Sequence, residues 1–277
     1  MIINGSTKLF AIAGNPVHHS LSPVMHNTAF RELGLNCAYV PLHVVDIQSG
    51  LEGMRHLGFQ GASVTVPHKE TVLSLVDELD TTALKIGAVN TLVFSRSDTE
   101  STWVQGYNTD WLGSNHALED HLDLPNRSAV ILGAGGAAKA VAFGLLQAGA
   151  KVTICNRTQS KAELLAQTLQ CHWMPYQERT TCSGDILVNT TTVGMTPYSN
   201  ETPLPTTRLA HFKVVMDIVY APLETRLLRE AREQGCATID GLTMLLYQGV
   251  EQCRLWTGQE PPVQSMREAL LRAVQPQ

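Results

Sequence analysis

Residues 133–138 read GAGGAA; they follow the apolar run AVIL and lead into AAKAVAFGLLQAG (137–149). An apolar run that stops in glycines and passes at once into a helical pattern permits few folds. It specifies a strand, a tight turn and a helix, and it fits the template G-x-G-x-x-G/A. Gly133 permits the turn, Gly135 lets a backbone approach a pyrophosphate, and Ala138 is small enough for close helix–strand packing. The free N–H groups at the start of such a helix, with its positive end, favour phosphate. Tight strand-to-helix turns need glycine anyway, so the motif alone fits plain packing as well as a nucleotide.

The next strand shifts that balance. KVTICNRT (151–158) ends about 20 residues downstream, where an NAD site carries an acid for the ribose hydroxyls. Here stand Asn156, Arg157 and Thr158, with Lys161 one helical turn on. A carboxylate repels a 2′-phosphate, whereas a guanidinium pairs with it and can stack on adenine. This favours NADP over NAD; the competing reading leaves Arg157 as a solvated loop residue.

Short β-rich runs alternate with helical patterns along the whole chain, which predicts an α/β fold with mostly parallel sheets covered by helices. Strands are expected at 8–14, 38–44 and 62–67, and helices at 22–34, 46–58 and 68–79, the first with Ser22 as N-cap and Gly34 as its stop. AVNTLVF (88–94) and TWVQGYN (102–108) read as paired strands joined by the polar turn SRSDTES (95–101). A second, Rossmann-type series has strands at 129–132, 151–156, 185–191 and 214–220, with helices at 137–149, 159–169 and 225–235. The expected domains are 1–105, 106–241, and C-terminal helices in 242–277 that return to the first domain.

The 277 residues suit two domains, and 44 % apolar against 16 % charged residues excludes a disordered chain. Net charge is −5 with no basic stripe, so nucleic acid and membrane surfaces are not expected partners. MIINGSTKLF lacks the pattern of a signal peptide, and the six cysteines are scattered without a CxxC, as in a cytoplasmic protein.

A reduced nicotinamide implies hydride transfer, which needs a partner for the alcohol proton. No Tyr is followed four residues later by Lys, and no Cys/His group has zinc spacing; His18 and His19 are adjacent, and His116 and His121 are five apart. Lys69, in SVTVPHK (63–69), is the candidate. Pro67 ends a strand, and Lys69 is expected in the first turn of the next helix, where a cation is unfavourable without a purpose.

The chain resembles the shikimate dehydrogenase family over nearly its whole length. PVHHSLSPVMHN (16–27), VTVPHK (64–69), GAVNT (87–91) and GYNTDW (106–111) carry the likeness in the first half. GAGGAA, NRT, NTTTVGM (189–195), DIVY (217–220), DGLTML (240–245) and YQG (247–249) carry it in the second. The resemblance implies an N-terminal domain that, with the C-terminal helices, holds shikimate, a middle domain that holds NADP, and a cleft where the two meet. It implies that Ser20 and Ser22 hold the substrate carboxylate, assisted by Tyr220, and that Thr65, Asn90, Asp110 and Gln248 read the ring hydroxyls. It makes Lys69 and Asp110 the catalytic pair. A neighbouring carboxylate favours the ammonium, which polarises the ketone of 3-dehydroshikimate and donates the proton; oxidation needs the neutral amine and should quicken as pH rises. It places Gly133, Gly135, Gly136, Ala137, Asn156, Arg157 and Thr158 around phosphates and adenosine, and Thr191, Thr192, Ile218, Gly241 and Met244 on the nicotinamide side.

Three departures stand out. Ser63 replaces a usual Asn, so that one hydrogen bond near the cleft is expected to be lost or water-mediated; Thr243 replaces a frequent Gly; Arg226 follows Thr225 where Pro is common. The competing functions are a quinate/shikimate dehydrogenase that prefers NAD and a non-catalytic shikimate sensor. A methylenetetrahydrofolate dehydrogenase-like enzyme shares the two-domain plan but lacks these motifs. The expected partners are small molecules alone, with the chain as monomer or homodimer.

Overall fold

The computed structural model describes residues 3–96 and 102–274. The chain forms two compact units, Met1–Thr109 with Gln248–Gln277, and Asp110–Tyr247. The expected domain limits at 105 and 241 thus fall four and six residues short of these divisions.

The first unit contains β1 (Lys8–Gly14), α1 (Ser22–Glu32), β2 (Cys37–His43), α2 (Ile47–His56), β3 (Gly61–Val64), β4 (Glu78–Leu79), α3 (Thr81–Ile86), β5 (Thr91–Arg96) and β6 (Thr102–Tyr107). Its sheet has the order β2-β1-β3-β5-β6-β4. The first three strands are parallel, and β3, β5 and β6 run antiparallel in turn. Of the turn expected at 95–101, residues 97–101 lie outside the described residues. Ala11, Ala13, Ala62, Val64, Leu92 and Val104 form the strand side of a core closed by α2 through Ile47, Leu51 and Met54. Asp46 caps α2 by accepting from the Ser49 amide, and Asp80 caps α3 by accepting from the Thr82 amide, both at 2.8 Å.

The second unit contains α4 (Asp110–Glu119), β7 (Ser128–Leu132), α5 (Gly136–Gln147), β8 (Lys151–Asn156), α6 (Gln159–Leu169), β9 (His172–Pro175), β10 (Ile186–Asn189), α7 (Thr206–Leu209), β11 (Val214–Asp217), α8 (Arg226–Glu233), β12 (Ala237–Ile239) and the start of α9 (Gly241–Thr257). Its strands are all parallel in the order β12-β11-β10-β7-β8-β9, the doubly wound arrangement. The remainder of α9 and α10 (Val263–Val274) belong to the first unit. Trp256 anchors them there: its indole donates to the Leu92 carbonyl at 3.0 Å, and its ring lies 5.3 Å from Phe10 and 5.1 Å from His26. Gly61 makes room for it, because a Cβ there would come within 2.3 Å of the indole nitrogen.

Two sequence expectations fail locally. The helix expected at 68–79 is a turn, a short 3₁₀ segment (Thr71–Ser74) and β4. Tertiary pairing overrides the helical spacing: the Asp77 amide donates to the Val104 carbonyl at 2.9 Å, its carboxylate takes the Val104 amide at 2.7 Å, and Glu78–Leu79 pair with β6. Lys69 is therefore in a turn and not at a helix N-terminus, so the dipole argument about its position lapses. Leu21, not Ser22, occupies the N-cap of α1; Ser22 is the first helical residue, and its amide donates to the Ser20 hydroxyl at 3.3 Å. Gly34 ends the segment with a φ of 67°, as expected.

Candidate active site

In the second unit, Gly133 has a φ of 123°, and a Cβ on it would come within 2.3 Å of the Thr190 hydroxyl. That conformation and that contact both require glycine. Gly135 differs: its backbone is extended, and the space where a Cβ would stand is open. The open face lies at the N-terminus of α5, beside a cavity of about 340 Å³. Gly133, Gly135, Asn156, Arg157, Thr191 and Thr192 line the cavity, as does Tyr176, which the sequence did not single out. Ala138 is fully buried in the core beneath, as close packing requires. Gly136, Ala137, Thr158, Ile218, Gly241 and Met244 are not on the cavity wall.

The end of β8 carries no carboxylate. Asn156 folds back, its amide donating to the Thr158 carbonyl at 3.0 Å. Arg157 and Lys161 are exposed, and among the described residues neither side chain makes a hydrogen bond or ion pair. Behind the Tyr176 wall residue, Arg179 lies over its ring, 4.0 Å from the centroid, and donates to the Tyr176 carbonyl. An open glycine face at a helix N-terminus, two uncommitted cations and an aromatic wall fit a phosphorylated nucleotide.

The loop after β10 is held from behind. The Asn189 side-chain oxygen Oδ1 takes the Thr191 hydroxyl at 2.7 Å and the Thr191 amide at 3.1 Å. The Asn189 amide donates to Asp217 at 2.9 Å, and Asp217 also takes the Val219 amide and the Thr225 hydroxyl. Burial pushes the Asp217 carboxyl up to about 6, although these three donors pull the other way. Gly241 starts α9 hard against Ile218, whose carbonyl oxygen would be 2.4 Å from a Cβ there. Met244 is buried in the same core, against which Ile218 packs. Thr243 is absorbed into the helix start: its amide and hydroxyl both reach the Asp240 carboxylate. Thr225 is an N-cap, accepting from the Leu228 amide, so the Arg that follows it disturbs nothing. Tyr220 is half-buried, and burial raises its phenol.

In the first unit, Asn90 is 1 % exposed. Its Nδ2 donates to the Thr109 hydroxyl at 3.0 Å and to Gln248 Oε1 at 3.3 Å, and its Oδ1 takes the Thr109 amide at 2.8 Å and the Thr91 hydroxyl at 2.7 Å. Thr65 follows β3, half-buried, its methyl against Gly14, where a Cβ would come within 2.3 Å of it. Lys69, half-buried, lies in the turn beyond, and its carbonyl accepts from the Val89 amide at 2.8 Å, one residue before Asn90. Ser20 is half-buried and Ser22 buried, at the start of α1. Asp110, 4 % exposed, opens α4 of the second unit directly after Thr109. Ser63 is hydrogen-bonded within the protein: it takes the Tyr39 hydroxyl at 2.6 Å and donates to Gln252 at 2.8 Å. Thr109 and Gln252 carried no signal, since neither residue type marks a site by itself.

These features agree with known proteins. The shikimate dehydrogenase substrate binding domain matches residues 12–92, the shikimate / quinate 5-dehydrogenase family matches residues 115–203, and the shikimate 5′-dehydrogenase C-terminal domain matches residues 241–271. The curated shikimate dehydrogenase (NADP(+)) of Methanothermobacter thermautotrophicus is 45 % identical over 99 % of both chains. A crystal structure of a shikimate dehydrogenase in complex with NADP+ is 39 % identical with a TM-score of 0.91, covering 99 % of this chain and 98 % of that one. The Thermus thermophilus enzyme in complex with NADP(H) and shikimate is 38 % identical with a TM-score of 0.86, covering 96 % of this chain and 99 % of that one. Identity of 45 % over 99 % of both chains means that the chain belongs to the shikimate dehydrogenase family.

Proposed function

We propose that this chain catalyses the reversible, NADP-dependent reduction of 3-dehydroshikimate to shikimate, a step towards chorismate and the aromatic amino acids. The observation that supports the reading best is the end of β8, where Asn156-Arg157-Thr158 offers a guanidinium and no carboxylate beside the open glycine face.

NADPH, when bound, supplies the hydride for the ketone carbon. The chain's own groups do the rest. The N–H groups of Gly135, Gly136 and Ala137 face the pyrophosphate past the turn that Gly133 makes, and Arg157 and Lys161 pair with the 2′-phosphate. Asn156 and Thr158 hold the adenosine, and Thr191, Thr192, Ile218, Gly241 and Met244 border the nicotinamide. Ser20 and Ser22 donate to the substrate carboxylate with help from Tyr220, and Thr65, Asn90, Asp110 and Gln248 read the ring hydroxyls. The Lys69 ammonium donates its proton to the ketone oxygen as that oxygen becomes a hydroxyl, and Asp110 orients the ammonium. Most of the substrate groups thus belong to the first unit, and the NADP groups, with Asp110 and Tyr220, to the second.

Within this reading the chain meets free small molecules in the cytoplasm, as monomer or homodimer, and no nucleic acid. Its six cysteines are all free thiols, and no helix among the described residues is long and apolar enough to cross a membrane.

Initial rates with shikimate and quinate, each with NADP and NAD, test the proposal. Shikimate with NADP should exceed every other pair by about tenfold or more in kcat/KM. Faster turnover of quinate with NAD would assign the chain to the alternative dehydrogenase. Binding of shikimate without turnover of either substrate would make it a sensor.

A further inference from the structure

We infer that Gln252 is a positioning residue that sets the register of the substrate-binding elements, an inference that rests on the function proposed above. Gln252 lies on α9, one helical turn after Gln248, and is 1 % exposed. It is not among the residues assigned to a ligand. Its carboxamide instead meets three other elements. Nε2 donates to the Asn90 carbonyl at 3.2 Å and to the Thr91 hydroxyl at 3.0 Å. Oε1 takes the Ser63 hydroxyl at 2.8 Å and meets His26 Nε2 at 3.3 Å.

The orientation follows from chemistry. The Asn90 carbonyl can only accept, so the amide nitrogen must face it, and the oxygen must face Ser63 and His26. His26 Nε2 is therefore the protonated ring nitrogen. His26 is fully buried, and burial holds it neutral by lowering its pKa to about 3. Its stack on Tyr39, 4.6 Å between centroids, and the Tyr39 hydroxyl on Ser63 complete the assembly.

Each of these contacts lies close to an assigned ligand-binding group. His26 is one helical turn from Ser22 on α1. Ser63 is two residues before Thr65. Asn90 is itself assigned to a ring hydroxyl, and its side chain shares a hydrogen bond with Gln248. A carboxamide with two donors and two acceptor sites, each used once, fixes α1, β3, β5 and α9 at one point. An apolar side chain of equal size would fill the space and leave the four elements free to shift against one another. Positions displaced by fractions of an ångström weaken binding of a small polyol strongly, because its groups are read by fixed donors and acceptors.

The test is steady-state kinetics and thermal melting of Gln252→Met, Gln252→Glu and the wild type. Gln252→Met keeps length and volume and should raise the shikimate KM about tenfold or more, with the NADP KM within about twofold of the wild type. Gln252→Glu keeps the acceptor for Ser63 and His26 and should fall between the two. If Gln252→Met shows no cooperative melt, Ser63→Ala replaces it, with an expected shikimate KM increase of about threefold or more at unchanged NADP KM. An unchanged shikimate KM in a folded variant, or an equal rise in both KM values, overturns the inference. Wild-type protein that does not oxidise shikimate at all overturns the proposed function and this inference with it; wild-type turnover with an unchanged variant KM overturns this inference alone.

Discussion

Asn189 bridges the end of β10 to Asp217: its amide donates to the carboxylate at 2.9 Å while its oxygen takes the Thr191 hydroxyl at 2.7 Å. The bridge makes a buried acid the rear support of a loop that lines the cavity beside the glycine turn. The arrangement has a proton-linked cost. The Asp217 carboxyl is fully buried, and burial raises its pKa from 3.8 to about 6. A group raised in the folded state contributes stability that is fully present below the unfolded value, near 3.8, and is lost as pH rises through about 6.

Asp217→Asn removes that dependence. Relative to the variant, the wild type should therefore gain stability as pH falls from 7 to 4, by an amount on the order of 3 kcal/mol. The comparison needs the variant, because other carboxylates change with acid in the opposite sense. Asp185, held at about 2 by Lys213 and Ser128, is one; its contribution starts to fade near the unfolded value of 3.8 and is lost as pH falls through about 2. Melting curves of both proteins across this range check the prediction. A constant gap between them would mean that Asp217 does not take up a proton there.

The two motif glycines should fail differently. Gly133→Ala places a β-carbon 2.3 Å from the Thr190 hydroxyl at a φ of 123°, a strain of about 1–3 kcal/mol before the clash is counted. It should lower the melting temperature and abolish NADP binding. Gly135→Ala meets no protein atom within 4 Å and keeps an allowed backbone. Its melting temperature should stay near that of the wild type, while NADP affinity falls about tenfold or more because the methyl occupies the phosphate approach. Equal melting temperatures for the two variants would refute the distinction.

Arg157→Ala tests the choice of cofactor. A charge-assisted contact to the 2′-phosphate is worth about 1.5–3 kcal/mol, so the NADP KM should rise roughly 10- to 100-fold while weak use of NAD stays as it was. The same loss with both dinucleotides would place Arg157 elsewhere in the site.

How much of this was readable in advance depended on whether the chemistry was local. The turn at Gly133–Ala138 and the cations after β8 could be read because a strand, its turn and the next residues carry the whole signal. The segment 68–79 misled, because its apolar spacing is helical and only the distant β6 pulls Asp77–Leu79 into a sheet edge. Helix α4 went unread for a related reason. Its buried residues are Asp110, Gly113, Ser114, Asn115, Ala117 and Leu118, mostly small or polar, packed so near α5 that a Cβ on Gly144 would lie 2.6 Å from Asn115 Oδ1. With Leu118 the one large apolar side chain among them, the apolar period is weak. Gln252 and Thr109 were invisible because their partners lie far off in sequence and their residue types are common on surfaces.

Lys69 is the residue on which the proposed chemistry turns. An interaction made mainly in the transition state lowers kcat and kcat/KM together, whereas uniform binding moves KM alone. Help with proton transfer is worth about 10²- to 10⁴-fold. Lys69→Met keeps the stem and removes the proton, so kcat should fall by at least about 10² with a much smaller change in shikimate KM. Because Lys69 lies in a turn and is half-buried, the melting temperature should move little. Lys69→Ala should behave alike. Asp110→Asn should also be severe, and the double variant Lys69→Met/Asp110→Asn should lose far less than the product of the single losses if the two act as one unit. Near-normal kcat in Lys69→Met would give the proton to another residue or to water.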